Sequence, residues 1–211
     1  MGRKESEISD SAMLIYPAMQ SADIFAMDIT IAHAGTDQRN VHVVAREASA
    51  ELEAKKPIAI HHHLLQGLLK PEITGEQDDE AVKLALKMSK SKPDSAVFIT
   101  DSPEEIKRKV NGAYAPEAII ELNPILDWTK YLIFYQEGSN LTIKRDEKWG
   151  GDLNYKNYED LEKDYAEKKL HPMDLKNAVA DWLIEKLAPA REYFEDPARK
   201  SALEEITTLT Q

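Results

Sequence analysis

Two kinds of hydrophobic patterning divide the chain. In the first part, short β-branched apolar runs alternate with polar clusters. Asp28 to Ala34 (DITIAHA) predicts a short buried strand. It ends in the cluster Gly35-Thr36-Asp37-Gln38-Arg39, and an amphipathic helix is expected from Val41 to Glu53. Pro57 to His62 predicts a second strand. Leu64 to Leu69 is an apolar connection, Pro71 to Glu80 a charged loop, and Ala81 to Leu86 a helix-like apolar run. Ahead of these comes a mainly polar stretch over residues 1–10, expected to be a helix end or a frayed lead. Pro17 suits a first helical turn, with Tyr16 before it extended or in a turn. Strand, glycine, polar cluster, helix and strand in that order describe an α/β fold with parallel strands. In such folds ligands collect at the carboxyl ends of the strands.

The second part changes character. Asp101-Ser102-Pro103-Glu104-Glu105 is a helix start: a polar cap, proline in the first turn, then acids where the helix dipole favours them. Helices are expected from there to Gln136, broken at Gly112, Pro116 and Pro124. Leu141 to Lys144 suits a small strand, and Glu147 to Leu153 a turn. Tyr158 to Glu167 and Met173 to Leu187 have the spacing of amphipathic helices. A domain boundary is expected near residues 95–100.

Composition narrows the class. With 211 residues there is room for one large domain or two small ones. Having no cysteine excludes a disulfide scaffold and a cysteine-based zinc site. No apolar run reaches the roughly 18 residues of a membrane helix, and the polar start is not a signal peptide, so a cytoplasmic protein is expected. The net charge of −11 makes whole-surface attraction to nucleic acid unlikely to dominate; RNA binding would need local patches and shape.

Three clusters carry candidate chemistry. In Lys87-Met88-Ser89-Lys90-Ser91-Lys92-Pro93, three lysines and two serines crowd into a loop ended by proline. Lysines neutralise phosphate oxygens as point charges, and serine hydroxyls add donors, so the loop suits a polyphosphate; the plainer alternative is a solvated basic turn. Tyr16, Gln20 and Asp23 follow at i, i+4 and i+7 and line one helix face, either as ligands or as ordinary core and surface residues. Asp37 suits a ribose hydroxyl or a helix N-cap, and Gln38 an amine or carboxylate. His61-His62-His63 invites a metal, but successive strand side chains alternate faces and no partner stands at ligand spacing. No metal site is predicted. Nor is there a Gly-x-Gly-x-x-Gly or a glycine-rich Walker loop.

Taken together, four motifs resemble the tyrosyl-tRNA synthetases of archaeal and eukaryotic type, a class I family with a Rossmann catalytic domain and a helical anticodon-binding domain. They are Tyr16-Pro17-Ala18-Met19-Gln20-Ser21-Ala22-Asp23, Gly35-Thr36-Asp37-Gln38-Arg39-Asn40-Val41-His42, the Lys87-Met88-Ser89-Lys90-Ser91 signature, and Leu170-His171-Pro172-Met173-Asp174-Leu175-Lys176. Trp149-Gly150-Gly151-Asp152-Leu153 supports them, and the match runs over nearly the whole chain. The resemblance implies a catalytic part over 1–97 and an anticodon-binding part over 98–211. It implies tyrosine binding by Tyr16, Gln20, Asp23 and Gln38, with Asp23 on the phenolic hydroxyl. Gly35, Asp37, Met88 and Lys90 would meet ATP, and Lys87, Ser89, Lys90 and Ser91 would stabilise the departing pyrophosphate. Magnesium would accompany ATP. Trp149 would stack on the first anticodon base, or serve instead as a packing anchor. Asp174 and His171 would read that base's edge. The implied reaction is tyrosyl-adenylate formation and transfer to tyrosine tRNA.

The family's His-x-Gly-His motif does not occur in this sequence. A C-terminal portion, inactive alone and exposing an unpaired strand and apolar face, is therefore expected. A separate N-terminal half is a possible partner. The full-length family is dimeric, and its dimer region lies largely upstream of this chain. The alternatives are a tryptophanyl-tRNA synthetase, which shares the first helix and the lysine loop, and a non-catalytic anticodon-binding half of a split enzyme.

Overall fold

The computed structural model describes residues 11–71, 86–89 and 91–209. The expected helix-like run at 81–86, most of the charged loop before it, the first ten residues and Lys90 lie wholly or largely outside the described residues. The chain separates into two compact units, one ending at Leu64 and the other running from Leu65 onward. This division does not coincide with the boundary expected near residues 95–100.

In the first unit, helix α1 (Ala12–Ala26) precedes strand β1 (Ile31–Gly35), a 3-10 turn (Thr36–Gln38), helix α2 (Arg39–Ala48) and strand β2 (Ile58–His62). The strands pair in parallel, Ile31 opposite Ile58 and Gly35 opposite His62. Ile24, Ala32 and Ala45 form a small core, with Phe25 and Ile29 against it. The Ser21 hydroxyl ties α1 to α2 by donating to the Val41 carbonyl at 3.2 Å and to Pro17 O at 2.9 Å. On the strands, Ile31, Ile58 and Ile60 are about half exposed. The β2 histidines do alternate: His61 meets His42 (ring nitrogens 3.0 Å apart) and His62 meets His33 (3.2 Å). Burial, then the neighbouring His61, lowers the pKa of His42. Among the described residues no three His, Asp or Glu side chains are grouped to hold a metal.

In the second unit, helices α3 (Pro103–Gly112), α4 (Pro124–Trp128), α5 (Tyr158–Ala166), α6 (Pro172–Tyr193) and α7 (Pro197–Leu209) accompany a two-stranded antiparallel ribbon, β3 (Leu141–Ile143) with β4 (Leu153–Tyr155). One continuous core fills it, from Leu68 through Ile106, Ile125, Ile143, Leu161 and Tyr165 to Leu175 and Leu183. The caps explain where helices begin. Ser102 accepts from the Glu105 amide at 3.2 Å, and Asn157 accepts from the Asp160 amide at 2.8 Å. A buried ion pair joins Lys109 to Asp101 at 2.6 Å.

Several expectations are corrected. Pro17 lies inside α1 rather than in its first turn, and Tyr16 is helical, because the apolar run from Ala12 extends the helix backward. Propensity before proline disfavours this without forbidding it. β1 starts at Ile31, after a turn in which Asp28 has φ +51°. α2 stops at Ala48, and the chain turns through Glu53 at φ +50°. Asp37 is not a helix cap: it sits within the 3-10 turn, and the α2 cap position is Gln38. β4 went unread, and α6 runs past Leu187 through Pro189.

Tyrosines give the core a pH dependence. Burial, then hydrogen bonds to the Asp164 and Glu162 carboxylates, pushes the Tyr155 and Tyr158 phenols far up; burial also raises Tyr165. A phenol whose folded pKa is raised contributes stability that is whole below its unfolded value of about 10 and is lost as pH climbs beyond it. Lys176, lowered by burial, acts in the opposite sense, but it is one group against three. Melting temperature is expected to fall steeply above pH about 10, with these tyrosines ionising only as the unit unfolds. Melts followed by tyrosinate absorbance check this; a flat or rising melting temperature there contradicts it.

Candidate active site and nucleic-acid interface

Helix α1 and the turn after β1 bring two of the predicted motifs into contact. Gln20 Nε2 donates to Gln38 Oε1 at 3.3 Å, and Gln38 Nε2 donates to Asp37 Oδ2 at 3.3 Å. A polar chain thus runs from the helix face to the carboxyl end of β1. Tyr16 and Asp23 share that helix and are exposed. Gly35 has an ordinary extended conformation, so its need for glycine is spatial. A Cβ there would lie 2.6 Å from Leu64 Cδ2 and 2.7 Å from Asp37 Oδ1. Any side chain at this position would displace Leu64 and the Asp37 carboxylate.

The lysine loop belongs to the second unit and is held at both ends. Gly67 N donates to Leu86 O at 2.6 Å, and Leu68 N to Ser95 O at 2.9 Å. The Ser95 hydroxyl, in a residue only 4% exposed, accepts from the Ser89 amide at 2.9 Å and donates to the Ser89 carbonyl at 3.2 Å. Ser89 and Ser91 hydroxyls lie 2.8 Å apart. Both are small donors that a phosphate oxygen can draw away from each other. Met88 packs on the core, and Lys87 is exposed at a bridge to Gln66. Asp127 accepts from the Gln66 amide at 3.0 Å, and the Trp128 indole donates to its carbonyl at 2.7 Å. Ser95, Asp127 and Trp128 had no sequence signal, since their roles come from contacts across 6 to 62 residues.

Between β3 and β4, a 3-10 turn (Glu147–Trp149) presents Trp149 at 69% exposure, too open for a packing anchor. Asp146 closes the turn by accepting from the Lys148 amide at 3.2 Å. Gly150 and Gly151 follow at φ +93° and +72°, values that favour glycine. His171 caps α6: its Nδ1 accepts from the Met173 amide at 3.2 Å. The neutral ring then carries its proton on Nε2, leaving a donor for a base edge. Asp174 is half-buried in the first turn of α6. Exposed aromatic, imidazole donor and carboxylate acceptor are the groups that stack on a base and bond its edge.

The family model described as tRNA synthetases class I (W and Y) matches residues 3–188. The chain belongs to this class I synthetase family. The tyrosine–tRNA ligase of Thermococcus kodakarensis is 54% identical over 207 residues, covering 92% of this chain and 55% of that protein. That of Aeropyrum pernix is 46% identical, covering 98% and 58%. A crystal structure of the Pyrococcus horikoshii tyrosyl-tRNA synthetase complexed with L-tyrosine superposes with a TM-score of 0.81 at 51% identity, over 92% of this chain and 56% of that one. The synthetase chain therefore spans about half the length of the curated relatives it matches. Its α/β part with parallel strands agrees with the class I synthetase fold. No described helix is long and apolar enough to cross a membrane.

Proposed function

We propose that this chain supplies the tyrosine-side residues, the signature loop and the anticodon reader of a tyrosine–tRNA ligase. The observation that carries the reading is the hydrogen-bonded chain from Gln20 through Gln38 to Asp37, which joins two motifs far apart in sequence beside Gly35. Tyr16, Gln20 and Gln38 take the α-amino end of tyrosine, and Asp23 accepts from its phenol. Gly35 and Asp37 take the ribose of ATP; Met88 lies with the nucleotide.

Activation is attack of the tyrosine carboxylate on the α-phosphorus of ATP. The bond to pyrophosphate breaks, and tyrosyl-adenylate forms. The 3′-terminal ribose of tyrosine tRNA then attacks the acyl carbon and releases AMP. Lys87, Lys90, Ser89 and Ser91 stabilise the pyrophosphate as it takes up charge. Positioning and electrostatics suffice, since no covalent enzyme intermediate is formed. Magnesium arrives with ATP, held mainly by phosphate oxygens. Residues from about 98 onward form the helical anticodon-binding part, where Trp149 stacks on the first anticodon base while His171 and Asp174 bond its edge.

The half-exposed isoleucines of β1 and β2 suit burial against the part of the family's catalytic domain that this chain does not span. In that assembly the reaction runs in the cytoplasm. Tyrosine is favoured over tryptophan by its identity to tyrosine–tRNA ligases.

The anticodon role is tested by tRNA binding at fixed salt, because phosphate contacts make affinity salt-dependent. Tyrosine tRNA is compared with a variant altered at the first anticodon base. Trp149→Ala is expected to weaken binding of both RNAs by about 5- to 150-fold, the effect of losing one stacked base, while Asp174→Ala removes the preference between them. Unchanged affinity in the first variant, or unchanged preference in the second, contradicts the assignment.

A further inference from the structure

Arg145 follows β3, immediately before the turn that presents Trp149. Its side chain is half-buried and reaches in two directions. Nε donates to the Gly151 carbonyl at 2.9 Å, and Nη1 donates to the Lys169 carbonyl at 3.1 Å. Its own amide donates to Asp152 Oδ1 at 2.9 Å. One guanidinium thus spans the Trp149 turn and the segment entering His171.

Both ends of the span are built. At Gly150, a Cβ would come within 3.4 Å of Arg145 Nη2, so the turn folds closely around the guanidinium. On the other side, Lys168 takes φ +62°, and the Lys169 and Leu170 amides both donate to Asp164 O, at 2.8 and 3.2 Å. Leu170 is fully buried, and His171 caps α6. The Lys169 carbonyl is therefore a fixed point, two residues before His171 and five before Asp174.

We propose that Arg145 is a positioning residue for anticodon recognition. It sets the separation between the Trp149 platform and the His171–Asp174 pair, and so controls base preference, without touching the RNA. The inference rests on the anticodon reading above. Arginine suits this because its planar fork aims several donors in fixed directions, whereas lysine offers a mobile point charge. Base recognition depends on such spacing, since groups that act together must be held to within about 0.5 Å.

The competing role for an arginine near RNA is a phosphate contact. That would weaken binding equally for all sequences, reduce the salt dependence, and be largely rescued by lysine. Positioning predicts the reverse on each count.

The test uses the 211-residue chain. Binding of an RNA hairpin carrying the tyrosine anticodon, and of one altered at its first base, is titrated over a salt series. The proteins are the parent, Arg145→Lys, Arg145→Ala and Trp149→Ala. Arg145→Lys is expected to lose roughly five-fold or more of the preference, the lower end of what a good base-edge contact contributes, with the parent's salt slope and melting temperature. Arg145→Ala should do the same; if it fails to fold, Arg145→Lys carries the test, since it keeps charge and stem. Full preference in Arg145→Lys overturns the proposal, as does an equal loss for both RNAs with a shallower salt slope. If Trp149→Ala binds both RNAs as tightly as the parent, the anticodon reading itself falls, and the proposal with it.

Discussion

Asn123→Ala is expected to destabilise the second unit by about 3 kcal/mol, the sum of a lost helix cap and stranded buried partners. Asn123 is 1% exposed and has every polar atom engaged. Its Oδ1 caps α4, accepting from the Ile125 and Leu126 amides at 3.1 and 3.3 Å. Its Nδ2 donates to the Ile119 carbonyl at 3.0 Å and to the Tyr165 hydroxyl at 3.1 Å. That hydroxyl in turn donates to Pro116 O at 2.9 Å. Alanine takes a partner from two amides and two oxygens in the core and leaves a void besides. Against a typical domain stability of about 5–15 kcal/mol this is a large fraction. Denaturant unfolding followed by tryptophan fluorescence reads it directly, because Trp128, Trp149 and Trp182 all lie in this unit. Tyr165→Phe should cost less, and the double variant less than the sum, since the two share one network. A change under about 1 kcal/mol for Asn123→Ala would contradict the network's importance.

Asp23→Ala is expected to remove much of the preference for tyrosine over phenylalanine, by about 100-fold or more, once the chain acts within a complete catalytic domain. A site built to bond a hydroxyl rejects the analogue lacking it by about 10⁴ to 10⁵, because its buried polar groups are left unpaired. The resemblance implies a second partner for the hydroxyl from outside this chain, so Asp23 should carry part of the effect. Ratios of kcat/KM in ATP–pyrophosphate exchange measure it. Tyrosine should fall while phenylalanine holds or rises. An equal fall for both would make Asp23 a structural carboxylate.

Much of the architecture was legible because local chemistry decided it. Ser102-Pro103-Glu104-Glu105 favours a helix start through local chemistry alone, and its cap forms as expected. The histidines after Ile60 alternate faces because any strand does. Gln20 and Gln38 stand out in the sequence through their motifs, but their mutual hydrogen bond does not. Other features were closed to such reading. β4 is three residues long and exists through its pairing with β3. Pro189 argues locally against helix, yet α6 continues because packing on α3 and the long apolar stripe outweigh one missing N–H. Arg145 and Ser95 look like any surface cation and any turn serine. Only the folded chain puts their donors on the Ser89 and Lys169 carbonyls.

The most direct test of the central claim is tyrosine-dependent ATP–pyrophosphate exchange, measured on the chain alone and with the complementary N-terminal segment of the Thermococcus kodakarensis relative. The account predicts no exchange alone. It predicts exchange on mixing or fusion that is driven by tyrosine, and not by phenylalanine or tryptophan. Exchange by the chain alone would contradict the division of the active site. Exchange driven by tryptophan, or none from a folded, joined protein, would contradict the assignment as a tyrosine–tRNA ligase portion.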